Sequence, residues 1–316
     1  MIVVCERCNS RLQLDEKRLT HPIGNLSVRC PNCEHSFTLV LTKEPELTPI
    51  IQLSNEMNPK RSSFTIVVTN QKGGVAKTST CLNLGLSLAL LEKRVLLIDF
   101  DVQANLTISM GYNKDTSSFY NLVRDGHQNI DSALIQTSYP GLWLLPSNKN
   151  MVLLSKKYFG TNEYEYILNR RLSSVKSRFD YIIIDTPPSI EFFTINALTT
   201  ANLAIIPTHC DYLSTHGIEQ VLNIIGLIRR KTNPAIDARI LVTRYDETAT
   251  ASRMIFSKLK GLHPQRMYQT VIPQDERLRE AQIMSMPVIN YDQRSLSGLQ
   301  YMALAQEIID LQPEHN

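Results

Sequence analysis

Three sets of residues in this chain have types and spacings that could do chemistry. Cys5, Cys8, Cys30 and Cys33 form two Cys-x-x-Cys pairs separated by the 21 residues Asn9 to Arg29. Each pair can offer two thiolates from a tight turn, and two pairs complete a closed tetrahedral zinc shell, which makes the site structural. A disulfide framework does not suit the reducing cytosol expected of this chain, whose opening apolar run is too short for a signal peptide. The second set is Lys72-Gly73-Gly74-Val75-Ala76-Lys77-Thr78, followed by Ser79. Glycines let backbone approach an anion closely, Lys77 adds a point charge, and Thr78 supplies a hydroxyl of the kind that ligates magnesium. The third is a trio of carboxylates, Asp99, Asp101 and Asp185, each at the C-terminal end of an apolar run. Open α/β sheets hold their ligands at that edge.

These residues need elements to hold them. Phe64 to Asn70 is β-branched and almost wholly apolar, as a strand buried on both faces should be, and Thr78 to Glu92 is rich in leucine and alanine. The glycine loop therefore joins a strand to a helix N-terminus, whose free amides and positive dipole end favour an anion. Arg94 to Phe100 is a second strand; Asp99 and Asp101 alternate by two, so both carboxylates are expected on the same side. Asp180 to Asp185 is a third, ended by Thr186-Pro187-Pro188, with Asp180 reading as a solvated cap. Further strands over 141–146, 202–207, 238–243 and 268–272 alternate with helical stretches over 164–176, 191–200, 217–231 and 296–311. Such alternation predicts an α/β fold with a doubly wound, mainly parallel sheet. The 316 residues then divide into a zinc ribbon over 1–40, a polar, proline-containing linker over 41–63 and the α/β domain over 64–316. The ribbon has too few apolar residues for a core, so metal must supply most of its stability, and chelation should unfold it while sparing the rest.

The glycine loop departs from the general pattern G-x-x-x-x-G-K-[ST] at Gln71 and Ala76. It matches instead the deviant form Lys-Gly-Gly-Val-x-Lys-Thr, with Lys72 ahead of the glycines. Here the chain resembles the ParA/MinD-type ATPases, dimerising bacterial partition and positioning proteins with a P-loop NTPase fold, over Phe64 to Leu311. The resemblance implies ATP and Mg2+ as ligands, with Gly73, Gly74, Val75, Ala76, Lys77, Thr78 and Ser79 around the phosphates. Lys72 would act across a dimer interface on the partner's nucleotide, and Gly73 would lie where two backbones meet. Ala76 replaces a common glycine, a mild departure that is tolerated if its φ is negative. The segment from Asp99 resembles the family's Asp-x-Asp-Pro-Gln-x-Asn, with Val102 for proline. Asp101 would orient the attacking water, Asp99 would sit near the magnesium shell, and Asp185 would hold magnesium as a Walker B carboxylate with Thr78. Arg244 and Pro273 would border the adenine. Residues 28–39 resemble short bacterial zinc ribbons, which implies Zn2+ on the four cysteines, leaving His21 and His35 on the surface.

Charge bears on partners. The net charge is only +3, but Arg229 to Arg279 carries eleven basic residues against five acidic ones. Such a local surplus can contact several phosphates in a salt-dependent way. ParA relatives bind DNA without sequence preference through such residues after ATP-driven dimerisation; by resemblance Arg277 is the leading candidate and Arg279 a helper. Two arginines common in the family are missing, at 246–249 and at Gln274. Unpaired Cys81 and Cys210 read as buried thiols, not the paired interface cysteines of the nitrogenase iron protein. No run approaches a membrane span, and the acidic end of the chain lacks a basic amphipathic helix. The expected protein is thus a cytoplasmic, nucleoid-associated ATPase. It would form an ATP-dependent homodimer, bind nonspecific DNA, answer to a ParB-like or other stimulating protein, and move a plasmid, chromosome region or protein assembly. The rival reading is an ATP-switched adaptor that displays paired zinc ribbons to a protein without binding DNA.

Overall fold

The computed structural model describes residues 2–4, 11–13, 24–41, 63–113, 116–126, 130–212 and 214–312. The chain forms two compact units, Met1–Asn55 and Glu56–Asn316. In the first, β1 (Ile2–Val4) pairs antiparallel with β2 (Arg11–Gln13), and β3 (Gly24–Arg29) with β4 (Ser36–Leu41). Each cysteine pair falls in the segment between the strands of one pairing. Cys30 and Cys33 lie in the tight turn from β3 to β4, where Cys30 N donates to His35 O and Glu34 N to Cys30 O. Cys5 and Cys8 lie outside the described residues, as does the linker apart from Leu41 and Ser63.

The second unit opens with β5 (Phe64–Val68), α1 (Lys77–Leu90), β6 (Val95–Asp99), α2 (Asn105–Ser109) and α3 (Phe119–Arg124). There follow β7 (Ile135–Gln136), β8 (Leu142–Leu145), α4 (Val152–Tyr158), α5 (Ile167–Leu172), β9 (Tyr181–Asp185) and α6 (Phe192–Thr200). The remaining elements are β10 (Leu203–Thr208), α7 (Ser214–Lys231), β11 (Asp237–Val242), α8 (Thr250–Leu262), α9 (Glu276–Ile283), α10 (Val288–Tyr291) and α11 (Leu296–Asp310). Seven strands make one sheet in the order β11-β10-β5-β9-β6-β8-β7, parallel except for the edge strand β7. Ile66, Val68, Leu97 and Ile183 pack under α1 and α11, while the alternate residues Val67, Ile98, Ile182 and Ile184 are buried too. The sheet is therefore covered on both faces, which is why its strands read as continuous apolar runs. Gly85 sets how closely α1 approaches it, since a Cβ there would stand 2.6 Å from Leu97 Cδ2.

Three sequence expectations need correction. Residues 268–272 form no strand: only isolated bridges at Ile240–Met267 and Tyr245–Pro273 follow β11, because Gln269 N and Thr270 N donate to the Glu307 carboxylate of α11 at 2.8 and 3.0 Å. The helix expected over 164–176 is α-helical only from Ile167 to Leu172, with a 3-10 turn at Lys176–Arg178. Asp180 is not a solvated cap, since it accepts from Arg94 N at 2.8 Å and joins the start of β9 to the approach to β6.

Candidate functional site

The edge at which β5, β6 and β9 end carries the predicted residues. After β5 the chain is tied down by Asn70, whose Nδ2 donates to Pro207 O at 2.8 Å and whose Oδ1 accepts from Lys72 N at 3.0 Å. Gly74 has φ +74°, and Ala76, the residue before α1, has φ +68°. The condition for an easily tolerated alanine, negative φ, is not met: the loop forces Ala76 into the left-handed region, at a cost of roughly 1–2 kcal/mol. That conformation turns the chain into α1 with no side-chain cap on its first amides and no acidic residue in its first turn. Such an N-terminus presents free donors and the positive end of the helix dipole. A Cβ on Gly73 or Gly74 would meet nothing within 4 Å, so the loop leaves open space for an anion on this side. Val75 is fully buried and its carbonyl accepts from Thr243 Oγ1 at 3.2 Å, which anchors the middle of the loop.

Lys77 is only 8% exposed, and its Nζ donates to Lys72 O at 3.0 Å. Burial lowers its pKa, opposed by the nearby carboxylates of Asp185 and Asp101. Thr78 Oγ1 donates to Asp185 Oδ2 at 2.7 Å, and Asp185 Oδ1 is buried without a hydrogen-bond partner. Burial first, and then the charge of Asp99, push the Asp185 carboxyl up to about 8. A buried carboxylate with an unsatisfied oxygen, beside a hydroxyl and an ammonium, is incomplete without a cation or a proton.

Asp99 and Asp101 do different jobs. Asp99 Oδ2 accepts from Thr107 N at 2.8 Å and Thr107 Oγ1 at 2.7 Å, and Oδ1 accepts from Asp101 N. Burial raises its pKa to about 6 against those hydrogen bonds. Both its oxygens are engaged within the protein, where they hold α2 and the loop before it, so Asp99, expected near the magnesium shell, acts on the site through that loop. Asp101 instead lines the cleft, accepting from Gln103 N at 3.0 Å, with its pKa raised by burial. Its main-chain carbonyl accepts from Ser147 Oγ at 2.6 Å, which fixes the residue from β8's side.

The cleft has a volume of about 750 Å3. One wall is the loop from Gly73 to Ser79 with Asp101; Gln103, Asn105 and Pro188 add to it. The other wall holds Arg244, Pro273, Gln274, Asp275, Leu278, Arg279 and Gln282. Arg244 and Pro273, expected at an adenine, line this wall of the cleft. Arg279, expected on a DNA surface, lines the cleft. Arg277 does not; it forms ion pairs with Glu280 at 2.8 Å and Asp292 at 3.5 Å.

The sequence pointed to neither Asp211 nor Gln282, and it gave no site role to Gln103 and Asn105, which stand in the motif read from Asp99, or to Gln274. Asp211 follows β10 and pairs with Lys72, a partner 139 residues away. Burial would raise the Asp211 carboxyl, but hydrogen bonds from Lys72 and Ser214 override it and hold it below the usual range. No local signal announces such a pair. Gln282 could have been found, because its spacing from Asp275 and Leu278 is that of one helix face. Cys81 is fully buried against Asp185, and burial pushes its thiol well above its ordinary pKa, while Cys210 is half-buried.

Comparison with known proteins gives two family matches, an AAA domain over residues 63–238 and a zinc-ribbon domain over residues 1–38. The chain is 37% identical over 246 residues to the sporulation initiation inhibitor protein Soj of Bacillus subtilis, covering 77% of this chain and 97% of that protein. It is 32% identical to the chromosome partitioning protein ParA of Myxococcus xanthus, covering 77% and 87%. Among solved structures, a Mycobacterium smegmatis protein described as cobyrinic acid a,c-diamide synthase with bound ADP and magnesium aligns with a TM-score of 0.68 at 29% identity, over 78% of this chain and 94% of that one.

Proposed function

The chain belongs to the ParA/MinD-type P-loop ATPases, and from that premise we propose that it is a slow, partner-stimulated Mg-ATP switch that dimerises, binds DNA without sequence preference and partitions or positions a cargo. The observation that carries the reading is the grouping of Lys77, Thr78 and Asp185 at an uncapped helix N-terminus, with Asp185 Oδ1 left unsatisfied. Loop amides and Lys77 hold the β- and γ-phosphates. Thr78 and Asp185 fit magnesium, an oxygen-binding cation that neutralises phosphate charge and is held here by hydroxyl and carboxylate. Asp101, on the cleft wall and fixed through Gln103 and Ser147, positions water for attack. Lys72 is 41% exposed in its pair with Asp211, so it can leave that partner at little cost and reach a second subunit's nucleotide.

One relative is named for chromosome partitioning and another for inhibition of sporulation initiation, and the first name supports a chromosome region among the cargoes. A cytoplasmic, nucleoid-associated location goes with that reading, as does a ParB-like stimulating protein. No helix among the described residues is long and apolar enough to cross a membrane. Cys5, Cys8, Cys30 and Cys33 would hold zinc, and a buried Cys30 with Cys33 three residues on in a hairpin turn suits a zinc knuckle.

One observation favours the second reading, an ATP-switched adaptor displaying paired ribbons without DNA. Arg277 is engaged by two carboxylates and Arg279 faces the cleft, which thins the basic surface at α9. Salt-titrated DNA binding with Mg-ATP separates the two. The partition reading expects ATP-dependent binding at low salt that weakens in Arg277→Glu; absence of any ATP-dependent binding leaves the adaptor.

A further inference from the structure

Asp275, Leu278, Arg279 and Gln282 all line the cleft, at the i, i+3, i+4, i+7 spacing of a single helix face. Arg277 lies roughly 200° round the helix from Arg279, so the two arginines cannot serve one surface. Gln282 Nε2 donates to Ser79 Oγ across the gap, which puts this face of α9 over the first turn of α1, just past Thr78. A triphosphate held by the loop leaves its sugar and base to the part of the cleft that α9 lines beside the Gln282–Ser79 contact.

Resting on the ATP-binding reading above, we propose that Arg279 is a nucleotide-contacting residue whose guanidinium plane forms a platform for the base. Its Nη1 donates to Glu276 Oε2 at 3.1 Å, an i,i+3 pair that holds one edge of the guanidinium. The side chain lines the cleft and remains 70% exposed, so little of the guanidinium is covered by protein. Asp275 does not draw the guanidinium away, because its oxygens accept from Arg277 N, Ser297 N and Ser297 Oγ. A guanidinium is planar and weakly hydrated and stacks on π faces, which an ammonium cannot imitate. The assignment makes Arg279 a residue of affinity for the nucleoside, distinct from the phosphate-binding charges on the opposite wall.

Isothermal titration calorimetry on the full-length protein tests this, with Mg-ATP and with inorganic tripolyphosphate as probes. Arg279→Ala should weaken Mg-ATP binding about fivefold and leave tripolyphosphate binding unchanged, and Arg279→Lys should not restore the loss. Retained tripolyphosphate binding also shows that the variant is folded. An unchanged ATP affinity in Arg279→Ala overturns the proposal, as does an equal loss for tripolyphosphate, which would make Arg279 a phosphate contact. A wild-type protein that binds neither probe overturns the ATP-binding reading itself, and so is distinguishable from failure of Arg279 alone.

Discussion

The two walls of the cleft recognise a ligand by different physics. The wall from Gly73 to Ser79 uses backbone: a loop forced through left-handed residues, uncapped helix amides, and a lysine kept 8% exposed between two carboxylates. The opposite wall uses one face of α9 with Arg244 and Pro273, and its polar groups, Asp275 apart, are exposed side chains. A wall of fixed backbone donors gives strong interactions because such donors need not be ordered on binding. An exposed wall gives weaker, tunable ones. The first should therefore carry affinity and chemistry, the second preference for the nucleoside.

That division is open to mutation. The largest effect belongs to Lys77→Ala, which should lower Mg-ATP affinity at least a hundredfold, or about 3 kcal/mol. Calorimetry checks it, and an affinity within about threefold of wild type would erase the contrast between the walls. Next comes Asp101→Ala, expected to slow phosphate release from ATP by roughly a hundredfold while binding is retained; normal turnover in a steady-state assay would remove Asp101 from the chemistry. The smallest is Ala76→Gly. Glycine adopts φ +68° without a clashing Cβ, so thermal denaturation should show a gain of up to about 1 kcal/mol. A loss there would mean that alanine is not strained and that the loop's shape is set by something else.

How far the sequence was legible follows the same division. Gly73, Gly74, Lys77, Thr78 and the ends of β5, β6 and β9 could be read directly, because continuous apolar runs declare buried parallel strands and a glycine loop after one declares an anion site. Strands β5, β6 and β8 to β11 and helices α1, α6, α7 and α11 followed; α2, α3, α4, α8, α9 and α10 did not. Alternation placed Asp99 beside Asp101 but could not foresee that Thr107 on α2 takes its carboxylate. Resemblance singled out Arg277 and Arg279, but no helix was expected there, and which of the two turns toward the cleft depends on how α9 packs. Residues 268–272 look like a strand because nothing local reveals Glu307, from α11, capturing two of its amides. Lys72 was visible as a motif residue, whereas Asp211, brought to it by the return of β10, was not. Contacts made through tertiary return are the ones that pattern alone misses.

Sedimentation velocity on Asp101→Ala, with and without Mg-ATP, tests the central claim that nucleotide held on the phosphate wall joins two subunits. The account predicts a monomer without nucleotide, a species of twice the mass with it, and return to monomer when Lys72→Ala is added. A protein that binds Mg-ATP, fails to hydrolyse it and still sediments as a monomer would contradict the account.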